Sequence, residues 1–399
     1  MPPIRSIAAL AGRVATFVAV PAFVAGVAAW SVAARPEVAR PAPTHPAPVG
    51  DASRDRRATT VGSTVRMAAD QHYGPPGNAS GYSVILVTGP QQAWALGGTN
   101  PGGPSAPVAA SWNGTTVTPA TLPPGLTSFI SDASATSDSD IWAASQYGRY
   151  VLHFDGSSWQ VARRWPNGQI TGLAAVSPTD VWAFGTTGDG ISVIGTWHFD
   201  GVSWQHVTGL GNSVCRASVV SSDDIWAIAA SPASYSIVQF DGTTWRPVPT
   251  GGALAGLQPH DILANSAQDV WVLADEVSAS GGVRLVLLHW NGTAWTSLVT
   301  SVDAWPGRLA AGPGGSVLIT ATPADAFATG LILQASVDDG QLVVSTRSWL
   351  DSGGISDVAV SGEAGGLWAS GAVLNRLGGS ATIWATPAAQ AAGKAGLTA

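Results

Sequence analysis

The segment Asp180-Val181-Trp182-Ala183-Phe184 belongs to a pattern that the chain repeats. An acidic residue, an aliphatic residue and a tryptophan come in the same order at 140–142, 224–226 and 269–271, and weaker copies surround Trp94 and Trp368. Successive tryptophans of the pattern are 48, 40, 44, 45 and 97 residues apart. The last interval is two periods long, so a degenerate copy is expected near 316–319 and the pattern predicts seven copies.

A second landmark follows each strong copy of the pattern. It is an Asp-Gly or Asn-Gly pair with a tryptophan four residues after the Asp or Asn, and it begins at Asp155, Asp200, Asp241 and Asn291. Such pairs between apolar runs predict β-hairpins, because both turn positions favour positive φ. A short run of small and β-branched residues also precedes each Asp-x-Trp. One repeat therefore predicts four strands, A to D, with Asp-x-Trp at the A–B turn and Asp-Gly at the C–D turn.

A four-stranded unit of this size cannot bury both of its faces alone, whereas several units around one axis can. The sequence therefore predicts an all-β fold, a seven-bladed β-propeller of four-stranded antiparallel blades over residues 59–388. The repeated indoles are expected to lie between neighbouring blades. The final copy lacks a D strand, so residues 59–67, a strand-like run, are predicted to pair there and close the ring.

Charge and cysteine content exclude several classes of protein. Net charge is −7 over 399 residues, and residues 75–388 contain no lysine and an excess of acids, so the basic footprint of a nucleic-acid-binding protein is missing. Cys215 is the single cysteine, which excludes an intrachain disulfide, a zinc site built on cysteines and a CxxC redox pair. Its alternating surroundings indicate a small buried hydrophobe, and the sequence predicts neither a metal site nor a cofactor.

The N-terminus predicts export. Arg5 and Arg13 precede an uncharged stretch at 14–34, so residues 1–34 are interpreted as one hydrophobic helix, either a signal peptide or a membrane anchor and tether. The positive-inside rule then places the remainder outside, secreted or anchored to the cytoplasmic membrane and facing outward. Residues 35–58 are interpreted as a disordered Pro/Ala-rich linker, and residues 389–399 as a disordered tail.

The copies resemble the Asp-x-Trp-Ala-x-Gly repeats of exported bacterial β-propellers. They are more distantly similar to kelch or galactose-oxidase-like and Asp-box propellers, through Gly97-Gly98 and the Asp-Gly-x-x-Trp segments respectively. The resemblance covers about residues 75–388. It implies a propeller fold and does not specify an activity.

Repeated polar residues are better explained by one structural role per blade. The Asp of each Asp-x-Trp is expected to accept backbone N–H bonds in the A–B turn, and His153, His198 and His289 are expected to be packed strand residues. His260 has no carboxylate companion that the sequence identifies.

Function is sought where the copies differ, on the face that carries the D–A and B–C connections, here called the rim. Aromatic side chains beside arginines and carboxylates can stack on sugars or hold a peptide. An alternative is that Trp165 and Trp305 fill gaps between blades. The predicted ligand-binding residues are Tyr147, Arg149, Arg163, Arg164, Trp165, Tyr235, Asp303, Trp305, Arg308 and Trp349.

These observations favour a monomeric, non-catalytic binding module at the cell surface, for an extracellular glycan or protein. Two alternatives stay open. One is a polysaccharide-active hydrolase or lyase that uses the rim carboxylates Asp275, Glu276, Asp303 and Asp351, and the other is a purely structural surface protein.

Overall fold

The computed structural model describes residues 68–72, 80–89, 92–99, 105–113, 116–186, 194–210, 213–231, 234–277, 282–325, 329–350, 353–361, 366–375 and 378–385. The regular structure of these residues is β-strand, with a single 3-10 turn at Pro313–Gly315. The all-β prediction is confirmed. The predicted N-terminal helix, linker and C-terminal tail lie outside the described residues. Within the described ranges, no helix is long and apolar enough to cross a membrane.

The strands form six antiparallel sheets, five of four strands and one of seven. Strand β1 (Ala68–His72) belongs to the last sheet, and the others follow in chain order. The first three contain β2 (Ser80–Gly89), β3 (Gln92–Thr99), β4 (Ala106–Trp112) and β5 (Val117–Pro119); β6 (Asp132–Ser137), β7 (Asp140–Ser145), β8 (Tyr150–Phe154) and β9 (Trp159–Arg164); and β10 (Gln169–Ser177), β11 (Asp180–Thr186), β12 (Thr196–Phe199) and β13 (Trp204–Val207). The fourth contains β14 (Ser213–Ser221), β15 (Asp224–Ala230), β16 (Tyr235–Phe240) and β17 (Trp245–Val248).

The seven-stranded sheet joins two copies of the repeat. It contains β18 (Gln258–Ser266), β19 (Asp269–Val277), β20 (Val283–Trp290), β21 (Trp295–Ala311), β22 (Val317–Pro323), β23 (Gly330–Asp338) and β24 (Gln341–Leu350). The first half of β21 pairs with β20 and its second half pairs with β22, so this strand serves as D in one copy and as A in the next. Strand β22 occupies the region where the degenerate copy is expected, with Val317, Leu318 and Ile319 buried in place of the usual tryptophan motif.

The last sheet joins the two ends of the described chain. It contains β25 (Gly354–Ser361), β26 (Gly366–Asn375) and β27 (Gly378–Ala385), and β1 pairs antiparallel with β27 at its outer edge. Residues 59–67, the predicted closing segment, lie outside the described residues, and β1 begins at the next position. The N-terminal side of the chain therefore does supply the fourth strand of the last sheet.

The A strands lie around one axis. They are β2, β6, β10, β14, β18, the second half of β21, and β25. Each contacts the A strand of the next copy, and β25 contacts β2, so the cycle is closed. The B, C and D strands follow outward in each sheet.

The repeated indoles fill the spaces between neighbouring sheets, as predicted. Trp142 clusters with Ile170 and Val181 of the next sheet, and Trp182 clusters in the same way with Ile225. Each of the six pattern tryptophans retains 8% exposure or less. Because burial of an indole removes about 150–250 Å² from water, these side chains are a main source of cohesion between sheets.

The carboxylate of Asp-x-Trp has a role other than the predicted one. Asp180 Oδ1 accepts hydrogen bonds from Trp182 Nε1 at 2.9 Å and lies 2.8 Å from His198 Nε2. Asp269 holds its own tryptophan and His289 in the same way, at 2.7 and 2.8 Å. Residues two apart on a strand share a face, so the Asp side chain lies beside the indole and the paired His rather than in the turn. The expectation of backbone N–H bonds in the A–B turn is wrong for these copies.

The Asp-Gly connections are four-residue loops rather than two-residue turns. Strand β8 ends at Phe154 and β9 begins at Trp159. Asp155 Oδ1 accepts the backbone N–H groups of Ser157 and Ser158 at 2.9 and 2.8 Å. Bonds to the Ser157 hydroxyl and to these N–H groups lower the pKa of Asp155 to about 2. Only the glycine needs positive φ, at 87°.

Candidate functional site

The A strands carry a group of charged residues towards the axis. Register shifts near the start of these strands mark β-bulges, and the residue that follows the bulge is Arg216 in β14, Asp261 in β18 and Asp357 in β25. Asp132 begins β6, and Arg308 lies within the irregular part of β21. A bulge redirects a side chain from the face of a sheet. Five charged residues from five copies therefore surround the axis, and they are called the axial charge cluster.

Three carboxylates of the cluster each bond to the next copy of the repeat. Asp132 Oδ2 accepts the backbone N–H of Leu173 at 2.8 Å, Asp261 Oδ2 accepts that of Leu309 at 2.8 Å, and Asp357 Oδ2 accepts that of Ile85 at 3.0 Å. The inner edge of an A strand has no neighbour in its own sheet, so its N–H groups need other acceptors. The aspartates supply them.

Arg308 crosses the axis. Its Nη1 donates to Asp132 Oδ1 at 2.9 Å, and its Nη2 donates to the Ser131 carbonyl oxygen at 2.5 Å. These partners lie 176 and 177 positions away in the sequence. The bond therefore joins sheets on different sides of the ring.

The two arginines differ in how well their charge is compensated. Burial lowers the pKa of Arg308, but Asp132, Asp261 and Asp357 together outweigh it and raise the pKa above its usual value. Burial and the charge of Arg308 lower the pKa of Arg216, against weaker opposition from Asp261 and Asp132. Burial also raises the pKa of Asp357 to about 6, although Arg308 opposes it. The negative charges of the cluster thus favour Arg308 more than Arg216.

A cavity of about 70 Å³ lies beside the cluster, where the A strands begin, and is called the central cavity. Trp305, Arg216 and Arg308 line it, and the three aspartates of the cluster are not among its lining residues. Its other lining residues are Ser83, Ser131, Gln146, Ile170, Thr171, Pro306, Gly307, Thr322, Ile355 and Ser356. The cavity therefore combines guanidinium groups, hydroxyls, an amide and an indole, a set suited to binding a polar group beside an apolar one.

Of the predicted ligand-binding residues, Trp305 and Arg308 line the central cavity. Tyr147 follows the lining residue Gln146, is 49% exposed, and its ring centroid lies 6.0 Å from that of Phe129. Trp305 and Arg308 therefore lie at the cavity, and Tyr147 is the sequence neighbour of a lining residue.

Trp165 has a different place. It is 6% exposed and packs edge-on against Trp197 and Trp204 of the neighbouring sheet, with ring centroids 5.9 Å from each. This packing agrees with the interpretation that Trp165 fills a gap between blades. The Arg163 guanidinium lies over Trp197, at 4.1 Å from the ring centroid.

The remaining predicted residues lie outside the cavity lining. The guanidinium of Arg164 lies 5.3 Å from the ring of Tyr150, and Arg149 has φ of 55° in the connection before β8. Tyr235 begins β16 and is half-buried, and Asp303 Oδ1 accepts the backbone N–H of Val283 at 3.3 Å. The backbone of Trp349 lies in β24, and its side chain lies outside the described part of the structure.

The carboxylates considered for catalysis are engaged with separate partners. Asp275 is buried and bonded to His260 Nε2, and Glu276 pairs with Arg284 at 2.7 Å. Asp351 lies outside the described residues. His260 therefore does have a carboxylate companion, which the sequence did not identify because the two residues meet only through the pairing of β18 with β19. Among the described residues, no group of three or more His, Cys, Asp or Glu side chains could hold a metal ion.

Sequence reasoning missed Asp132, Arg216, Asp261 and Asp357. A signal for them exists: the first three lie ten residues before the pattern tryptophan of their copy, and Asp357 lies eleven before Trp368. A charged residue at the same position of several A strands, whose other residues are small and apolar, indicates that these charged side chains lie in the same environment. Aligning the A strands, and not only the tryptophans, would have found it.

Two solved structures are similar to this chain over most of its length. YCF48 bound to D1 peptide matches with a TM-score of 0.53 and 15% identity, covering 81% of this chain and 99% of that one. A catalytically inactive variant of virginiamycin B lyase from Staphylococcus aureus, with quinupristin, matches with a TM-score of 0.53 and 13% identity, covering 79% of this chain and 98% of that one. No protein-family model and no curated protein matches the chain. The neighbours are β-propeller-like, so the likeness supports a propeller fold and, at this identity, nothing more specific.

Proposed function

We propose that this protein is a binding module whose ligand is a peptide segment of another protein, held at the central cavity. The observation that carries the proposal is the cavity itself, where Trp305 offers an apolar face beside Arg216 and several hydroxyl groups. Indole and guanidinium groups in partly desolvated pockets dominate the binding energy of protein interfaces. The likeness to YCF48 bound to D1 peptide supports this choice at the level of the fold.

Size favours a peptide group over a sugar. Since a water-sized group needs about 10–15 Å³ of such space, a cavity of 70 Å³ holds about five of them. A hexose has about twelve heavy atoms, so a sugar ring would have to stay outside the cavity, whereas one side chain or chain end of a peptide fits.

The second part of the proposal concerns the number of blades and the location of the protein. We propose that the seven-stranded sheet counts as two blades, which makes seven in all, and that the ring is exported and faces outward, either released or tethered by residues 14–34. The double role of β21 and the closed cycle of A strands support the blade count. The arginines and the long uncharged stretch at the N-terminus support export.

Affinity measurement with two tryptophan variants tests the proposal. The full chain is screened against an array of random peptides, and the dissociation constant of each captured peptide is measured for the parent, Trp305→Ala and Trp165→Ala. Loss of the cavity indole is expected to weaken binding at least about tenfold, a common effect of truncating a central interface tryptophan.

Trp165→Ala is the matched control, because this indole is buried between sheets away from the cavity. It is expected to lower the melting temperature and leave affinity unchanged. Absence of any captured peptide, or equal affinity of the parent and Trp305→Ala, would reject the central cavity as a peptide site.

A catalytic role is the second candidate, and the pairing of His260 with buried Asp275 is the observation that favours it. A carboxylate that orients an imidazole is a common arrangement for a general base. Incubation of the parent and of His260→Ala with polysaccharides tests it. Cleavage that the parent performs and the variant does not would favour an enzyme.

A further inference from the structure

Arg216 has hydrogen-bonding capacity that the described protein does not use. Its Nη1 donates to the carbonyl oxygens of Thr171 at 2.7 Å and Cys215 at 3.2 Å. The closest carboxylate, Asp261 Oδ1, lies 3.9 Å from Nε, beyond hydrogen-bond distance. Within the described residues, no acceptor bonds to Nη2. The side chain is 27% exposed and lines the central cavity, which is the space left for a further acceptor.

Arg308, on the same cavity, already has an acceptor on each of its two terminal nitrogens. Its two terminal nitrogens bond to the Asp132 carboxylate and to the Ser131 carbonyl oxygen. The charge of Arg308 is also the better compensated, because three aspartates raise its pKa, whereas burial and Arg308 lower the pKa of Arg216. An added anion would therefore gain more beside Arg216 than beside Arg308.

The carboxylates of the cluster do not compete for this position. Each of the three accepts, at one oxygen, a backbone N–H of the next copy of the repeat, on Leu173, Leu309 or Ile85. None of the three aspartates lines the cavity. A group that enters the cavity thus meets the guanidinium groups of Arg216 and Arg308 together with neutral hydroxyl and amide groups, and no carboxylate of the described residues.

We propose that the central cavity binds a carboxylate of the peptide ligand, with Arg216 Nη2 as the donor. This inference rests on the proposed function and names the chemistry of its ligand: the C-terminal carboxylate or the side chain of an Asp or Glu. A carboxylate has three heavy atoms, within the space of about five water-sized groups. Its bond to the guanidinium is charge-assisted and is worth about tenfold to a hundredfold in affinity.

The first test uses two small probes with the full chain. N-Acetylglycine carries a free carboxylate, and N-acetylglycinamide is its neutral counterpart. Each is titrated while the guanidinium resonances of Arg216 are followed by NMR, assigned from their loss in Arg216→Lys. N-Acetylglycine is expected to shift the Arg216 resonances and the amide to leave them in place.

The lysine variant keeps the positive charge and removes the planar donor pair. It is expected to bind N-acetylglycine at least tenfold more weakly, as measured by the shifts of neighbouring cavity residues. Arg246→Lys is the matched control, because Arg246 is 71% exposed and pairs with Asp241 on a hairpin. It should bind N-acetylglycine as the parent does. Melting temperatures of both variants establish that they are folded; if Arg216→Lys is unfolded, titration calorimetry of the parent with the two probes, which needs no resonance assignment, decides.

The second test separates the two sources of carboxylate and the two proposals. Captured peptides are remade with an amidated C-terminus, and separately with Asp or Glu replaced by Asn or Gln. Tenfold weaker binding in one series identifies the source. Binding that neither change weakens, or no response to N-acetylglycine, overturns the carboxylate site, although peptide binding that depends on Trp305 would still uphold the proposed function. Response to N-acetylglycine without capture of any peptide would uphold the site and reject the proposed function.

Discussion

Replacing Asp180 with alanine removes the acceptor that holds one pattern tryptophan in place. Asp180 Oδ1 lies 2.9 Å from Trp182 Nε1 and 2.8 Å from His198 Nε2, and its other oxygen accepts the hydroxyl of Ser222 in the next sheet. In the variant, Trp182, His198 and Ser222 each lose a hydrogen-bond acceptor. At about 1 kcal/mol each, the variant is expected to be about 3 kcal/mol less stable.

The chain supplies its own control for this substitution. In the fourth sheet Gln239 stands at the position of His198, and its Nε2 donates to Asp224 Oδ1 at 2.7 Å. His198→Gln should therefore preserve the network and cost less than about 1 kcal/mol.

Calorimetry of the parent, Asp180→Ala and His198→Gln measures the change in melting temperature that each substitution causes. A loss of about 3 kcal/mol corresponds to a melting temperature lower by about 5 °C in a domain of this size. Equal melting temperatures for Asp180→Ala and His198→Gln would refute the idea that the shared carboxylate, rather than burial of the indole alone, fixes the tryptophan.

Three further changes test the axis and the closure of the ring. Asp357→Asn should remove a pH dependence of the free energy of unfolding. In the folded protein the pKa of Asp357 is about 6, above the ordinary value of 3.8, so the protonated carboxyl contributes its full stabilisation below about pH 4. This stabilisation, up to about 3 kcal/mol, is lost as pH rises through 6. Parallel stability curves of parent and variant between pH 4 and 7, in urea titrations, would contradict this. Arg308→Gln should destabilise by about 3–5 kcal/mol at pH 7, since Asp132 is left without its cation; a change in urea midpoint equivalent to less than 1 kcal/mol would be inconsistent with a cross-axis bond. Deletion of residues 68–72 should cost about 4 kcal/mol for four paired positions, measured as a lower melting temperature; an unchanged melting temperature would show that β1 does not close the ring.

The fold was predictable because its signals are local and repeated. A tryptophan two residues after an aspartate, followed by an Asp-Gly pair, indicates a strand, a turn and a second strand within about 25 residues. The same pattern recurs in each strong copy of the repeat. The position of strand β22 agrees with the region near 316–319 that the spacing of the pattern indicates. The structural role of the Asp155 carboxylate was predictable, but the length of the loop was not, because it is set by the N–H groups of Ser157 and Ser158 that donate to Asp155 Oδ1 rather than by the Asp-Gly pair itself.

The candidate site was predictable only in part. Trp305 and Arg308 were selected because they lie in an irregular connection on the predicted rim, and they line the cavity. Trp165 stood out equally and is buried between sheets. Irregularity in a sequence does not distinguish a side chain that reaches a cavity from one that fills a gap, because the difference depends on the curvature of neighbouring sheets.

The amino-acid sequence by itself determined that this protein is a ring of repeated antiparallel sheets with indoles between them. That information is periodic, and a periodic pattern of apolar residues specifies which face of each strand is buried. Only the tertiary structure decided that Asp132, Arg216, Asp261, Arg308 and Asp357 meet at the axis. Closing the ring brings residues about 50 to 270 positions apart within hydrogen-bond reach, and the resulting balance of charge depends on three-dimensional distance, which no local pattern encodes.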